Sequence, residues 1–203
     1  MRARLCPVLL ILAVLSFLSA CRLTSPPPAS PPPSTVDVVP EQQKPVEDPV
    51  AAPRQKIRQQ LAADDSLAAL TLILASGLPE TEFADEYVRA LKGVLNQAEG
   101  LLQKDLPEKA GPLYRAVLNG YPKKSAVAAR VGMSPDDIAT GIETCADRLM
   151  ERGLADYRSG NLDQAIRTWK QIHVFAPRHQ ASRKALQTAE VQLANLKKVR
   201  GEQ

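Results

Sequence analysis

The sequence predicts an all-α domain that follows an export signal and a proline-rich linker. Ten of the seventeen prolines fall between residues 26 and 53, where fixed φ angles and missing N–H groups exclude helix and central strand. From residue 57 onward, apolar residues recur every three or four positions, and no stretch alternates as a strand would. The remaining 150 residues, 54–203, can form one hydrophobic core but not two.

Residues 1–20 have the composition of an export signal, with Arg2 and Arg4 before an apolar run too short to span a bilayer comfortably. The sequence Leu18-Ser19-Ala20-Cys21 resembles the bacterial lipobox. This resemblance implies cleavage before Cys21 and attachment of acyl chains such as palmitate to its thiol. The alternatives are an uncleaved membrane helix, or a secretory signal in which Cys21 is incidental.

By the same resemblance, Arg22 in place of Asp after the anchor implies an exported protein attached to the outer membrane and facing the periplasm, if the cell has two membranes. Residues 21–53 form the predicted disordered linker, whose proline runs at 26–28 and 31–33 favour polyproline II. At ~3.1 Å per residue it spans up to ~100 Å. We expect a spacer, and the alternative is a ligand for an aromatic groove.

The predicted domain covers residues 54–203. Its first half is predicted to contain two long helical segments. One covers 57–76 and ends at Gly77-Leu78-Pro79. The next covers 80–104 and has a single broad apolar face. A short extra helix is expected at 124–131.

The second half is predicted to contain three helices. Ser134-Pro135-Asp136-Asp137 begins a helix that reaches residue 158, since a hydroxyl cap, a first-turn proline and acids suit the positive end of a helix. Asn161 and Gln164 have the spacing of a capping box for a helix that reaches residue 175. The last helix covers 180–199.

An internal repeat relates two helix pairs. Gly153, Ala165, Trp169 and Pro177 are separated by twelve, four and eight residues, and the same spacings separate Ala98, Ala110, Tyr114 and Pro122. The chain here resembles the tetratricopeptide repeat (TPR) family, which implies antiparallel helix pairs stacked as a short α-solenoid. Residues 146–179 form the better repeat, 91–124 a degenerate one, and 180–199 a capping helix. A generic helical bundle is the alternative.

The chain departs from the family pattern at several positions. Arg152 replaces the usual Leu, Leu149 stands for Trp, and Asp156 occupies the Tyr position beside Tyr157. In the weaker repeat Ala98 replaces Gly, and Pro112 is expected to kink its second helix or shift the start of that helix.

The resemblance implies a binding groove lined by the first helix of each pair. The expected groove residues are Asp147, Met150, Leu154, Tyr157, Arg158, Leu95, Glu99 and Leu102. We expect that replacing Tyr157 and Arg158 together with alanine releases a partner without unfolding the domain.

Other candidate sites are better explained structurally. Residues 125–138 resemble a DNA-binding helix-turn-helix, but two acids would meet the phosphates, so we expect no nucleic acid partner. We find no catalytic motif and too few cysteines and histidines for a metal site, so no enzyme and no cofactor is expected. We interpret Asp64-Asp65 as helix-start residues, His173 and His179 as capping or surface residues, and Cys145 as a packed small hydrophobe.

Charge concentrates near the C-terminus. The stretch from Arg167 to Arg200 holds eight basic residues and one acid, Glu190. An anionic partner could bind there, such as an acidic protein, a wall polymer or lipid head groups, and a solvated face is the alternative.

We therefore expect a membrane-anchored, non-enzymatic adaptor that binds an envelope protein or peptide through a TPR groove. Two further hypotheses stay open. One is a pilotin-like assembly lipoprotein for a secretion or pilus system, and the other is an accessory to a cell-wall enzyme.

Overall fold

The computed structural model describes residues 50–201, and within this range it contains helices and no strand. The prediction of an all-α domain is therefore confirmed for these residues. The predicted export signal, Cys21 and most of the predicted linker lie outside the described residues. The described residues form eight α-helices: α1 (Ala51–Ala62), α2 (Ser66–Ala75), α3 (Ala84–Gln103), α4 (Pro107–Asn119), α5 (Ser125–Ala128), α6 (Pro135–Arg158), α7 (Leu162–Phe175) and α8 (Gln180–Arg200).

The long helices pack in chain order. Helix α1 packs on α2, α2 on α3, α3 on α4, α4 on α6, α6 on α7, and α7 on α8. Smaller contacts join α1 to α3, α4 to α7, and α6 to α8. One continuous hydrophobic core results, which extends from Ile57 on α1 to Ala189 on α8. None of the helices between residues 50 and 201 has the length and apolar composition that a membrane span requires.

Helix α1 begins inside the predicted linker. The predicted boundary was between residues 53 and 54, whereas Ala51, Ala52 and Pro53 form the first turn of α1. The first-turn N–H groups of a helix have no intrahelical acceptor, so a proline there costs no hydrogen bond. The prediction that the proline-rich stretch excludes helix is therefore wrong at its last proline.

The predicted first segment, 57–76, is two helices. The chain breaks at Asp64, whose φ of 60° lies in the left-handed region. Asp65 then caps α2, because its Oδ1 accepts a hydrogen bond from the backbone N of Ala68 at 2.9 Å. The interpretation of this acid pair as a helix start is confirmed for Asp65. Gly77, with a φ of 66°, follows α2 and lets the chain turn.

Pro112 lies inside α4 without ending it. The helix begins at Pro107, five positions earlier, so the proline does not shift the helix start. The N–H that Pro112 lacks would have bonded the carbonyl of Glu108, in the first turn. Only this first-turn hydrogen bond is lost. Helix α4 therefore continues through Pro112 and packs on both α3 and α6.

Helix α6 begins and ends at the predicted residues. Ser134 Oγ accepts a hydrogen bond from the backbone N of Asp137 at 3.1 Å, and the Asp137 carboxylate accepts one from the backbone N of Ser134 at 3.2 Å. This reciprocal pair is a capping box. The hydrogen bonds from Ser134 hold the pKa of the Asp137 carboxyl below its usual value. The preceding helix, α5, is shorter than predicted.

The predicted capping box at the start of α7 is wrong. Asn161 precedes the helix, but its side chain makes no capping hydrogen bond. Gln164 instead accepts a hydrogen bond from Arg167 Nη2 at 2.8 Å, one turn ahead along the same helix. Helix α8 ends at Gly201, whose φ of 69° gives the left-handed conformation common after helices.

Candidate partner-binding face

Gly153 of α6 lies directly against Trp169 of α7. A Cβ atom placed on Gly153 would stand 2.2 Å from Trp169 Nε1. The indole is buried, and its Nε1 donates a hydrogen bond to the carbonyl of Met150 at 3.4 Å. Because Gly153 has no side chain, α6 and α7 approach closely at this point.

The matching positions of the first pair are buried as well. Ala98, Ala110, Tyr114 and Pro122 are all shielded from solvent. Tyr114 reaches the next pair, because a Cβ on Gly141 of α6 would lie 3.0 Å from its ring. Burial, followed by the nearby Glu99 and Cys145, raises the pKa of the Tyr114 phenol. Seven of the eight equally spaced residues in the two helix pairs are therefore buried, and the exception is Pro177.

The predicted groove residues of α6 share one flank of that helix, because they recur every three or four positions. We call Asp147, Met150, Leu154, Tyr157 and Arg158 the α6 strip. Asp147 and Arg158 are exposed, whereas the three residues between them are half-buried against the core. The strip therefore presents a partly exposed apolar centre between an acidic and a basic residue.

The three groove residues predicted on α3 do not share one environment. Glu99 and Leu102 are half-buried, so a partner could contact them. Leu95 is 4% exposed and belongs to the hydrophobic core. It lies on the buried face of α3 between Leu91 and Ala98, and the structure therefore places it outside any accessible face. Arg148 of α6 joins the two helices by donating from Nη1 to the carbonyl of Leu102 at 2.9 Å.

Tyr157 connects the strip to α7 and α8. Its ring centroid is 5.9 Å from that of Trp169, with the rings inclined by 39°. Its hydroxyl donates a hydrogen bond to Gln192 Oε1 of α8 at 2.5 Å. Sequence reasoning missed Gln192, since an isolated polar residue in a predicted capping helix carries no spacing signal. Tyr157 therefore helps to hold α8 as well as lying in the strip.

Two arginines on the opposite flank of α6 bind the turn between α3 and α4. Arg148 Nη1 lies 3.3 Å from Asp105 Oδ1, and Arg152 lies 2.9 Å from Asp105 Oδ2 and 3.2 Å from Glu108 Oε2. Arg152 also donates to the Asp105 backbone carbonyl. Sequence reasoning registered Arg152 only as a departure from the family pattern. The structure gives that departure a role, because a leucine could not make these contacts.

Most of the basic stretch in α7 and α8 is unpaired. Lys170 forms an ion pair with Glu190 at 3.0 Å, and Arg167 is hydrogen-bonded to Gln164. The other six cations are exposed and form no ion pair with any residue in the range 50–201; they are Arg178, Arg183, Lys184, Lys197, Lys198 and Arg200. The single acid of this stretch is thus already neutralised.

The two histidines form hydrogen bonds within the fold, and Cys145 is buried in it. His179 Nδ1 accepts a hydrogen bond from the backbone N of Ser182 at 3.2 Å and so caps α8, as expected of a capping histidine. His173 Nε2 lies 3.0 Å from the hydroxyl of the same serine. Cys145 is buried, and burial raises the pKa of its thiol to about 11, although Arg148 opposes this. Among residues 50–201 no group of three or more His, Cys, Asp or Glu side chains is arranged to hold a metal ion.

A solvent-open cleft of about 590 Å³ lies where α4 and α6 meet the turn between α7 and α8, and none of its lining residues belongs to the α6 strip. Arg115 donates from Nε to the carbonyl of Phe175, the last residue of α7. The arginine thereby satisfies a C-terminal helix carbonyl. The cleft is lined by Arg115, Asn119, Glu143, Val174, Phe175, Ala176, Pro177, Arg178 and His179.

Comparison with known proteins identifies no relative of this chain. No protein-family model matches the chain, and neither the curated proteins nor the solved structures contain a match.

Proposed function

We propose that this chain is a lipid-anchored, non-enzymatic adaptor of the bacterial cell envelope, which holds a peptide or helix of another envelope protein against the α6 strip. The observation that carries the proposal is the composition of the strip. Met150, Leu154 and Tyr157 are apolar surfaces that solvent still reaches, and exposed charges stand at both ends of the row. Binding surfaces commonly combine an apolar centre with a polar rim.

A TPR-like solenoid is the arrangement we propose for the domain. Three observations support it: the long helices pack in chain order, seven of the eight equally spaced residues are buried, and Gly153 lies against Trp169. Residues 91–124 and 146–179 would be the two repeats. Helix α8 would be the closing helix, and its contact between Gln192 and Tyr157 would make it a neighbour of the bound partner.

The anchor is the second part of the proposal. The lipobox-like residues before Cys21 support acylation, and residues 21–49 would let the domain act at a distance from its membrane. The test is the variant Cys21→Ser, followed by fractionation. We expect loss of incorporated radiolabelled palmitate and release of the chain from the membrane fraction. Unchanged palmitate incorporation would contradict the proposed anchor.

The binding test uses charge reversal at the exposed ends of the strip. Replacing Tyr157 with alanine is a poor test, because it also removes contacts with Trp169 and Gln192. The double variant Asp147→Lys/Arg158→Glu changes exposed side chains instead. Lys109→Glu is a suitable control, since Lys109 of α4 is also an exposed helical cation with no ion pair to the described residues and lies in neither proposed binding surface. We expect co-purification of the partner from solubilised membranes to fall in the double variant and to persist in the control.

The six unpaired cations of α7 and α8 favour a second surface for an anionic partner, such as an acidic protein, a wall polymer or lipid head groups. Exposed charges act mainly at low ionic strength. We therefore expect binding of the chain to isolated cell-envelope fractions to weaken as salt is raised. Binding that is equal at low and high salt would contradict an electrostatic contribution from this surface.

A further inference from the structure

A second cleft, of about 480 Å³, opens between α6 and α7 beside the first turn of α4. We call it the α6–α7 cleft. None of its lining residues belongs to the α6 strip, so a ligand bound here does not need the partner proposed for the strip. Its polar lining residues are Glu108, Arg152, Asp156, Gln164, Thr168 and Gln171.

The hydroxyl of Thr168 is buried in this cleft without a hydrogen-bond partner. Thr168 is 6% exposed, and its side chain forms no hydrogen bond to any described residue. The four other threonines of the described α-helices each donate to the carbonyl four residues earlier, at 2.8 to 3.0 Å; they are Thr71, Thr140, Thr144 and Thr188. A buried polar group ordinarily has a partner, because an unmade hydrogen bond costs free energy. The Thr168 hydroxyl is therefore available to a ligand.

Asp156 carries the unpaired charge of the cleft. Arg152 lies 2.9 Å from Asp105 Oδ2 and 3.2 Å from Glu108 Oε2, so its positive charge is already matched. Asp156 is half-buried and forms no ion pair with any residue in the range 50–201. A positively charged ligand therefore complements this cleft, whereas an anionic ligand would be repelled.

We infer that the α6–α7 cleft binds a primary ammonium group, such as that of a lysine side chain, between Asp156 of α6 and the polar side chains of α7. An ammonium is a compact charge with three N–H donors. Three acceptors line the cleft: the Asp156 carboxylate, the Thr168 hydroxyl and the amide oxygen of Gln171, whose side chain forms no hydrogen bond to a described residue.

Other ligand classes fit these groups less well. A neutral hydroxyl compound would bond Thr168 and Gln171 but leave the Asp156 carboxylate without a counterion. The planar fork of a guanidinium matches one carboxylate, whereas these acceptors lie on two helices.

Calorimetric titration of the purified full chain tests the inference, with Nα-acetyl-lysine methylamide as the probe. The control ligand is the same compound acetylated on its side-chain nitrogen, which has no charge. We expect heat of binding from the charged probe and none from the neutral one.

Three variants of the chain show which groups bind the probe. Asp156→Asn should weaken binding at least about tenfold, because the counterion is lost. Thr168→Val keeps the shape of the side chain and should weaken binding roughly threefold to tenfold, the size of one net hydrogen bond. Glu151→Gln, at an exposed acid of α6 outside the cleft, should bind like the parent. Equal thermal midpoints of parent and variants will show that the fold is unchanged.

Carbodiimide coupling in native membranes identifies the source of the ammonium, because it joins a carboxylate to an amine in contact with it. The Asp156 peptide should carry a lysine peptide if the source is a protein, and the mass of a small compound if it is a free amine. The inference is overturned if the neutral probe binds as tightly as the charged one, if the charged probe gives no heat, or if Asp156→Asn binds it like the parent.

Discussion

The indole of Trp169 fills the space beside Gly153 at the contact between α6 and α7, so that a Cβ atom on the glycine would lie 2.2 Å from the indole Nε1. The same indole donates to the Met150 carbonyl and lies beside the ring of Tyr157. One close approach thus positions two of the five residues in the α6 strip. The geometry of the proposed binding face depends on it.

Gly153→Ala should destabilise the domain. The new methyl group must displace a buried ring, and overpacking of this kind typically costs about 1–3 kcal/mol. The measurement is the free energy of urea unfolding of the full chain. Gly100→Ala is the control, because no atom lies within 4 Å of the Cβ position at Gly100 on α3. There we expect a gain of about 0.5–1 kcal/mol, since alanine favours helix over glycine. An equal effect at both positions would contradict the close approach.

Arg152→Leu removes the guanidinium that contacts Asp105 and Glu108, and we expect it to weaken the domain slightly. The ion pairs with Asp105 and Glu108 are partly exposed, so the loss should be below about 1 kcal/mol and should shrink at high salt. Asp105 has a φ of 57°, in the left-handed region, which asparagine tolerates. A double-mutant cycle with Asp105→Asn therefore isolates the pair of side chains. Additive effects of the two substitutions would show that the arginine does not act through the Asp105 carboxylate.

Glu80 should make stability depend on acid pH. Burial raises the pKa of this carboxyl, but hydrogen bonds from the backbone N atoms of Lys123 and Lys124, with the charges of those lysines, bring it below the usual 4.5. A carboxyl whose folded pKa is lowered stabilises the fold above its unfolded pKa, and this contribution disappears as the pH falls through the folded value. Urea midpoints between pH 6 and pH 3 should therefore fall less in Glu80→Gln than in the parent. Glu143→Gln, at an exposed acid, should behave like the parent.

Cys145 should not react with thiol reagents in the folded chain. The thiol is fully buried, and its pKa of about 11 leaves little thiolate at pH 8. Peptide-resolved mass spectrometry after alkylation should find the Cys145 peptide unlabelled in buffer and labelled in urea. An exposed cysteine, introduced as Thr188→Cys, should be labelled under both conditions. Rapid labelling of Cys145 without urea would show that the contact between α4 and α6 opens readily.

Local patterns were sufficient to predict the later helices. Ser134 and Asp137 cap α6, and Gly201 follows α8, because these features act through the backbone of neighbouring residues. The close approach of Gly153 and Trp169 was also indicated by the sequence, because both residues belong to the set with spacings of twelve, four and eight residues. Asn161 shows the limit of such patterns, since Gln164 bonds Arg167 instead of completing a capping box.

Tertiary relationships were not predictable from the sequence alone. Leu95 has the spacing of a groove residue, but the packing of α3 buries it. Asp105 and Arg152 are 47 positions apart, and nothing in the sequence of either indicates the other.

The central claim is that a partner lies on the α6 strip, and site-specific photo-crosslinking tests it most directly. A photoreactive amino acid replaces Asp147 or Arg158 in the full chain within its native membranes, and Lys109 of α4 serves as an exposed control position. The account predicts that one and the same envelope protein is crosslinked from both strip positions and not from the control. Equal crosslinking from all three positions, or none from the strip, would contradict it.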